Sequence, residues 1–216
     1  MTSNLLITAG PSYEPIDEVR RITNMSTGTL GCLLANRLHA AGFKITLLLA
    51  NSSSYRGPIE CPNVQSFNTA DDLSGLLTAL AGEKKWLGVL HAAALSDFRV
   101  QSVLDAQNQP LTDKKIPSTF PEIRITLIPA PKIIRQLRRL FPESKISGWK
   151  YEPAGTKNQV LQKGWQQIAA CHSDACIVNG PGYGDGYGFC TAPNHHLPLA
   201  DVDALADRFK TWLKES

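Results

Sequence analysis

Short, continuously apolar runs alternate with stretches of helical periodicity along the first half of this chain, and the alternation leaves few folds open. The runs at 5–7, 43–49 and 86–94 contain few polar residues, which is typical of strands covered on both faces. Between the first two runs, apolar residues from Leu30 to Ala41 recur at helical spacing and end at Gly42. The pattern predicts an α/β, Rossmann-like, doubly wound and mostly parallel sheet with helices on both faces.

The second half of the chain continues this pattern after one interruption. Periodicity disappears between Ser96 and Phe120, and we expect this segment to be a long mobile loop. The other predicted elements are strands at 64–67, 123–128, 145–149 and 175–178, helices at 73–80 (N-capped by Thr69), 132–141 (opened by Pro131), 157–171 and 201–213, and a glycine-rich loop at 180–188. Since no low-complexity linker divides the chain, residues 1–216 are expected to form a single domain.

Composition and charge argue against several classes of protein. The formal net charge is only +3 and no dense stripe of Lys and Arg is present, so we expect no nucleic-acid partner. No uncharged apolar run approaches the ~18 residues of a membrane span, so we expect no membrane partner. The five cysteines lack a paired C-x-x-C spacing, which indicates reduced thiols and no zinc site. A cytoplasmic protein is therefore expected.

The stretch from Ile7 to Gly31 carries the first candidate site. An apolar strand leads into a turn at Gly10, then into a polar loop and a helix that starts after Ser26, Thr27 and Gly28. The free N–H groups and positive dipole end of such a helix favour a phosphate or a developing oxyanion.

Ligand-binding residue types also follow other predicted strands. Asn24 lies in the first loop, Ala92–Ala94 end a strand, Asp97 follows, and Lys114–Lys115 lie on the long loop. Small residues let a planar base approach the backbone, a carboxylate accepts hydrogen bonds from ribose hydroxyls, and a lysine neutralises phosphate. Each residue also has a purely structural interpretation, as a turn former, packing residue, cap or solvated charge. Their joint position at strand ends favours a nucleotide pocket.

Six segments together are specific enough to identify a family. They read ITAGPSYEPIDEVRRITNMSTGTLG, HAAALSDFR, KIPS, LIPAPKII, GWKYE and DACIVNG in chain order. These segments resemble the motifs of phosphopantothenate-cysteine ligases across most of the chain. The resemblance implies that 4'-phosphopantothenate is joined to cysteine in coenzyme A biosynthesis, through an acyl-nucleotide made from CTP or ATP with Mg²⁺ and release of pyrophosphate. It also implies a homodimer in which the second protomer helps close the substrate site, and no flavin is expected.

The resemblance also implies roles for individual residues. Asn24 would lie beside the mixed anhydride, and Lys115 would neutralise the α-phosphate from a flexible loop as pyrophosphate leaves. The residues implied to bind the nucleotide are Gly10, Ser12, Ala92, Ala93, Asp97, Pro131, Lys132, Ile133, Ile134 and Trp149. Those implied to bind substrate are Ser26, Thr27, Gly28 and Asn179. The metal ligands stay unassigned.

Departures from the family pattern leave two alternatives open. The usual Gly-Gly-Thr is Gly10-Pro11-Ser12 here, and Thr29 stands where a Lys or Arg is common. The first alternative is therefore a diverged nucleotide-binding protein without ligase activity. An NAD(P)-linked reductase is the weaker alternative. The sequence has only a G-x-x-G in place of the G-x-G-x-x-G of dinucleotide-binding proteins. Ala50-Asn51 follows the second strand, where those proteins carry an acidic residue that holds the ribose, so both features argue against NAD(P).

Overall fold

The computed structural model describes residues 3–215, in which twelve strands and five helices form. The strands are β1 (Asn4–Ala9), β2 (Tyr13–Pro15), β3 (Arg21–Thr23), β4 (Lys44–Ala50), β5 (Asn63–Phe67), β6 (Gly88–His91), β7 (Phe98–Asp105), β8 (Ile123–Pro129), β9 (Lys145–Tyr151), β10 (Ala175–Asn179), β11 (Tyr187–Ala192) and β12 (His195–Leu199). The helices are α1 (Thr29–Ala40), α2 (Ala70–Ala81), α3 (Ile134–Leu140), α4 (Lys157–Cys171) and α5 (Val202–Trp212).

Eight of these strands form one central sheet in the order β12-β11-β10-β9-β6-β1-β4-β5. The six strands from β10 to β5 are parallel, and β11 and β12 extend the sheet antiparallel at one edge. Numbered among themselves, the parallel strands follow the order 3-2-1-4-5-6 of a doubly wound sheet. The predicted fold class is therefore confirmed.

Helices cover both faces of the sheet. Helices α1 and α5 enclose one apolar core with side chains such as Leu34 and Phe209, and α2 and α3 enclose the other with Leu77 and Leu137. Helix α4 packs on β9, β10 and β11, on the same face as α3. Both faces of the central strands are therefore buried, which explains their continuous apolar runs.

Local sequence signals set the helix boundaries. Thr69 caps α2 in a capping box, since its hydroxyl accepts the Asp72 N–H while the Asp72 carboxylate accepts the Thr69 N–H. Helix α1 begins after Gly28, which has a φ of +79°. Gly31 lets α1 approach β1, because an added Cβ would lie 2.4 Å from the Cβ of Ala9. The end of β1 and the start of α1 are therefore held close together.

The expectation of one loop from Ser96 to Phe120 is wrong for its first part. Residues Phe98–Asp105 are β7, which pairs antiparallel with β8 in a two-stranded ribbon outside the central sheet. A bulge between Val100 and Ser102 shifts the alternation by one residue, so the period-2 pattern is lost from the sequence. The irregular segment is residues 106–122.

Four smaller differences complete the comparison with the predicted elements. The loop after β1 contains the hairpin β2–β3, and β6 ends at His91, so Ala92–Ala94 follow the strand. Helix α3 begins at Ile134, although Ile133 already has helical dihedral angles. Strands β11 and β12 were not predicted. Pro198 within β12 is typical of an edge strand and weakens its signal.

Candidate functional site

The carboxyl ends of β1 and β6 lie side by side at the centre of the sheet, where open α/β sheets bind ligands. The two following loops are joined by their backbones. Ser12 N–H donates to Ala94 O over 3.1 Å, and Ala94 N–H donates to Gly10 O over 3.0 Å. Ser96 N–H donates to the buried Ser12 hydroxyl over 3.1 Å. Gly10 and Ser12, which were predicted to bind nucleotide, thus hold the second loop in place and do not line the adjoining crevice.

A crevice of about 650 Å³ opens beside these loops. Eight of the predicted residues line it: Asn24, Ala93, Asp97, Pro131, Lys132, Ile133, Ile134 and Trp149. Ala92 does not line it; its N–H donates to Thr8 O over 3.1 Å. The structure therefore brings together residues from four predicted segments that are separated by up to 125 positions in the chain, from Asn24 to Trp149.

The Asn24 side chain is fixed against the opposite loop. Its Nδ2 donates to Leu95 O over 2.9 Å, which joins the loop after β1 to the loop after β6. An amide nitrogen carries two hydrogens, so this contact leaves the second available to a ligand. Asn24 is exposed and lines the crevice.

Asp97 and Lys132 form an ion pair at the mouth of the crevice. The Asp97 side chain is 67% exposed and the Lys132 side chain is 52% exposed, so water screens the pair. The Asp97 carbonyl accepts the Ala130 N–H over 2.9 Å, which holds the two segments together. The free energy needed for an anionic ligand to separate this pair is therefore small.

A second group of charged residues was not predicted. Lys163 on α4 forms an ion pair with Glu152, and both side chains line the crevice together with Lys150 and Arg135. The Glu152 side chain is only 13% exposed. Lys150 and Glu152 belong to the segment GWKYE, but Lys163 had no signal in the sequence because only the packing of α4 brings it to the crevice. The crevice wall thus carries more cations than carboxylates.

The floor of the crevice is formed by buried polar groups. His91, the last residue of β6, lines the crevice, and its Nδ1 lies 2.9 Å from the hydroxyl of Thr8. Burial lowers the pKa of His91 to about 4, so the ring is neutral at neutral pH. Trp149 also borders the crevice, but its indole packs in the core under α5, 5.9 Å from the Phe209 ring, and its Nε1 is buried there without a hydrogen-bond partner among residues 3–215.

A second crevice of about 490 Å³ lies between the start of α1 and the end of β10. It is lined by Thr27, Thr29, Leu30, Leu33, Asn179, Gly186, Tyr187, Ala200, Asp201 and Val202. Thr27 and Asn179, predicted to bind substrate, therefore lie together but apart from Asn24. Ser26 and Gly28 line neither crevice as the structure describes them, and Gly28 is buried at the N-cap of α1. Glu152 N–H donates to Asn179 O over 2.9 Å, so the two crevices share a wall.

Lys115 is exposed and lines neither crevice. The chain beside it is fixed by Asp17, whose side chain is 1% exposed. Asp17 Oδ1 accepts the N–H groups of Val19 and Arg20, and Oδ2 accepts the Arg20 guanidinium and the Ile116 N–H over 3.1 Å. Arg20 Nη2 also donates to Ile116 O over 3.0 Å. These contacts, which we call the Asp17 clamp, hold the residue after Lys115 against the loop between β2 and β3.

The Asp17 clamp requires an ionised carboxylate. Burial on its own would raise the pKa of Asp17, but the N–H donors of Val19, Ile116 and Arg20 and the Arg20 guanidinium outweigh it and lower the pKa. The four groups that contact the Asp17 carboxylate are all N–H donors, so an acceptor-only side chain is needed at this position.

No metal centre is evident from the side chains themselves. Within residues 3–215, no three His, Cys, Asp or Glu side chains come close enough to hold an ion together. The crevice does present two carboxylates, Asp97 and Glu152. Mg²⁺ is commonly held by one or two carboxylates together with substrate phosphates, so these residues fit a nucleotide-bound Mg²⁺. Over the same residues, no helix is both long and apolar enough to cross a membrane.

Comparison with known proteins identifies relatives of the whole described fold. The family model described as DNA/pantothenate metabolism flavoprotein C-terminal domain matches residues 1–210. The coenzyme A biosynthesis bifunctional protein CoaBC of Thermococcus kodakarensis is 31% identical over 175 residues, which are 81% of this chain and 40% of that protein. The chain thus spans less than half the length of this relative.

Two solved structures share the fold. The DNA/pantothenate metabolism flavoprotein from Streptococcus pneumoniae superposes with a TM-score of 0.84 at 20% identity, over 99% of both chains. The Cab2 mutant H337A in complex with phosphopantothenate-cysteine superposes with a TM-score of 0.68 at 18% identity, over 99% of this chain and 89% of the other. At these identities the superpositions establish the fold.

Proposed function

The chain belongs to the DNA/pantothenate metabolism flavoprotein C-terminal domain family, and we propose on that basis that it is a phosphopantothenate-cysteine ligase of coenzyme A biosynthesis. The observation that carries the proposal is the crevice at the carboxyl ends of β1 and β6. Asn24, Ala93, Asp97 and Trp149, which the family resemblance singled out, line it together. The proposed unit is a single ligase domain over residues 1–216. Its five cysteines are free, which supports a cytoplasmic location.

The nucleotide, CTP or ATP, occupies the crevice in this proposal. The base lies against the apolar start of α3, where Ile133 and Ile134 line the crevice. Asp97 accepts from the ribose hydroxyls once the ligand separates it from Lys132. Lys132 and Lys163, which both line the crevice, then neutralise phosphate oxygens.

The first chemical step makes the acid reactive. A carboxylate oxygen of 4'-phosphopantothenate attacks the α-phosphorus, the bond from that phosphorus to the bridging oxygen breaks, and pyrophosphate leaves. The product is an acyl-nucleotide with a good leaving group. Asn24 lines the crevice and has a second amide hydrogen, which donates to the oxygen on which negative charge develops.

The second step forms the product amide. The amine of cysteine attacks the acyl carbon, the bond between that carbon and the phosphate oxygen breaks, and the nucleoside monophosphate leaves as the amine loses a proton. Asn24 serves this step too, because the acyl oxygen carries charge in the tetrahedral intermediate.

Mg²⁺ fits the same site as a helper. Asp97 or Glu152 would hold it together with the phosphates, and the ion would neutralise charge on the leaving pyrophosphate. The negative charges of Asp97 and Glu152 are what this chain would supply to hold the ion.

The protein acts as a homodimer in this proposal. An isolated two-stranded ribbon is marginally stable in water, yet β7–β8 exposes Phe98 (51%), Leu127 (41%) and Ile123 (36%). A second copy of the chain would cover these side chains. The Asp17 clamp holds the Lys115 segment away from the crevice of its own protomer, so Lys115 acts either after a loop movement or in the site of the second protomer.

A pyrophosphate-release assay tests the proposal. Purified protein is incubated with 4'-phosphopantothenate, cysteine and each of CTP, ATP, GTP and UTP, with Mg²⁺. We expect release with CTP or ATP, and only when 4'-phosphopantothenate is present. Nucleotide binding without turnover would instead identify a diverged binding protein. If NADH, and not CTP or ATP, protected the protein against unfolding, it would be an NAD(P)-linked protein.

Two variants test the assigned roles. Asn24→Asp replaces the donor by a carboxylate and is expected to lower turnover by about 100-fold or more, as loss of an oxyanion-type donor does. Lys115→Gln is expected to lower turnover strongly. Lys114→Gln is its matched control, because Lys114 is the exposed neighbour whose side chain pairs with Glu18, 3.4 Å away. Equal activity in all three variants and the wild type would contradict these assignments.

A further inference from the structure

Thr8 and His91 form a buried polar pair beneath the main crevice. Thr8 lies in β1 and is fully buried, and His91 lies beside it at the end of β6 and is 7% exposed. The Thr8 hydroxyl lies 2.9 Å from His91 Nδ1 and accepts the Ala93 N–H over 3.2 Å. Neither residue was singled out from the sequence, and the proposed chemistry does not use them.

The hydrogen bonds of Thr8 determine which nitrogen of His91 carries the proton. A hydroxyl has one hydrogen to donate, and burying it without an acceptor is costly. Among residues 3–215, the only acceptor within reach of the Thr8 hydroxyl is His91 Nδ1. Thr8 therefore donates to Nδ1, and the proton of the neutral ring lies on Nε2. Burial disfavours the imidazolium, which supports a neutral ring.

The other side of the ring faces the crevice. His91 lines the crevice between the loops that carry Asn24 and Ala93. Its Nε2 has no hydrogen-bond partner in residues 3–215. This atom is not fully enclosed by protein, unlike the unpartnered Nε1 of Trp149. Nε2–H is thus a donor that reaches the surface of the crevice floor. The adjacent Ala93 and Ala94 have small side chains, which leaves room for a ligand above it.

We propose that His91 is a ligand-binding residue whose Nε2–H donates a hydrogen bond to an anionic oxygen of the molecule bound in the crevice. This inference rests on the proposed function, since that function supplies the carboxylate of the acid substrate and the phosphates of the nucleotide. A neutral donor is suited to this position because it stabilises negative charge without forming a salt bridge that would hold the product. Thr8 is the positioning residue that fixes the tautomer.

NMR spectroscopy of the free protein tests the first half of the proposal. Nitrogen-15 shifts of the histidine rings distinguish a protonated Nε2 from a protonated Nδ1, and the spectrum of His91→Leu assigns the His91 signals. We expect the Nε2–H form at pH 7. Thr8→Val removes the donor to Nδ1 and is expected to shift the ring toward the Nδ1–H form. A wild-type ring protonated on Nδ1 would overturn the proposal.

Ligand binding tests the second half. CTP, ATP and 4'-phosphopantothenate are added singly to the wild type, to His91→Leu and to His91→Gln, whose side-chain amide offers a donor near the position of Nε2. We expect the His91 Nε2–H signal to shift with the ligand that supplies the oxygen. The dissociation constant for that ligand should rise at least about tenfold in His91→Leu and much less in His91→Gln, since a hydrogen bond to a charged group is lost in only one of them.

The outcomes separate this proposal from the proposed function. If a nucleotide or the acid binds the wild type without moving the His91 signal and binds His91→Leu equally well, the contact is refuted while the proposed function stands. If none of the three ligands binds the wild type, the proposed function fails and the contact fails with it. Circular dichroism at pH 7 establishes that each variant is folded before its binding is compared.

Discussion

Acidification should destabilise this protein through His91 in a defined pH range. The pKa of His91 is lowered by burial from 6.5 to about 4 in the folded protein. Between these values the unfolded chain binds a proton at His91 and the folded protein does not. The free energy of unfolding therefore falls as the pH decreases through this range, because the unfolded state binds more protons.

The size of the effect follows from the same two values. At about 1.4 kcal/mol per pKa unit, the gap between 6.5 and about 4 limits the loss to about 3 kcal/mol. Moving from pH 7 to pH 4.5 covers most of that gap and should cost about 2 kcal/mol. Such a loss is a large fraction of the 5–15 kcal/mol by which domains are typically stable.

Urea unfolding at pH 7.0, 6.0, 5.0 and 4.5 measures this effect in the wild type and in His91→Leu. The variant loses the titrating group and leaves the Thr8 hydroxyl without an acceptor, a cost of about 1–3 kcal/mol that does not depend on pH. Other titrating groups act equally in both proteins. We therefore expect the stability of the wild type to fall by about 2 kcal/mol more than that of His91→Leu over this range.

His195→Gln is the matched control, because it removes an exposed histidine that lies outside the crevice. It controls for the removal of a histidine side chain from the folded surface. A constant difference between the wild type and His91→Leu from pH 7.0 to 4.5 would refute the reasoning, since it would mean that folding does not change the protonation of His91.

Three further predictions concern other parts of the structure. Asp17→Asn places an amide among N–H donors, so the Asp17 clamp should open. Trypsin should then cleave at Lys115 several-fold faster than in the wild type, whereas the control Glu18→Gln should be cleaved at the wild-type rate. Thr69→Ala removes the α2 cap and should lower the free energy of unfolding by about 1 kcal/mol in urea titrations. Phe98→Ser should weaken the proposed dimer, with a monomer detected by light scattering at concentrations where the wild type is a dimer.

The part of the site that could be predicted is the part that strand order determines. Asn24 lies in the connection after β1 and Asp97 lies in the connection after β6, and in a doubly wound sheet these strands are neighbours at the edge where ligands bind. Burial on both faces gives their strands continuous apolar runs, so each strand end can be located in the sequence. The proximity of the two loops therefore follows from local patterns together with one rule of topology.

Other features depend on contacts that no local pattern contains. The Asp17 clamp joins residues 99 positions apart, and Lys163 reaches the crevice only through the packing of α4. Strand β7 was missed because its bulge breaks the alternation. His91 did leave a signal, since a histidine inside the apolar run 86–94 is a polar group that must find a buried partner.

The two ion pairs of the crevice differ in how readily they release a cation to an incoming phosphate. Asp97 and Lys132 are both more than half exposed, so water already screens their attraction and separating them costs little. Glu152 is 13% exposed, so separating it from Lys163 would leave a poorly solvated carboxylate. Under the proposed function, a triphosphate would therefore recruit Lys132 first, while Lys163 would stay beside Glu152 and present its remaining hydrogens to the ligand. Release of Lys132 would also free Asp97 for the proposed ribose or Mg²⁺ contact, so the proposed function couples phosphate binding to use of that carboxylate.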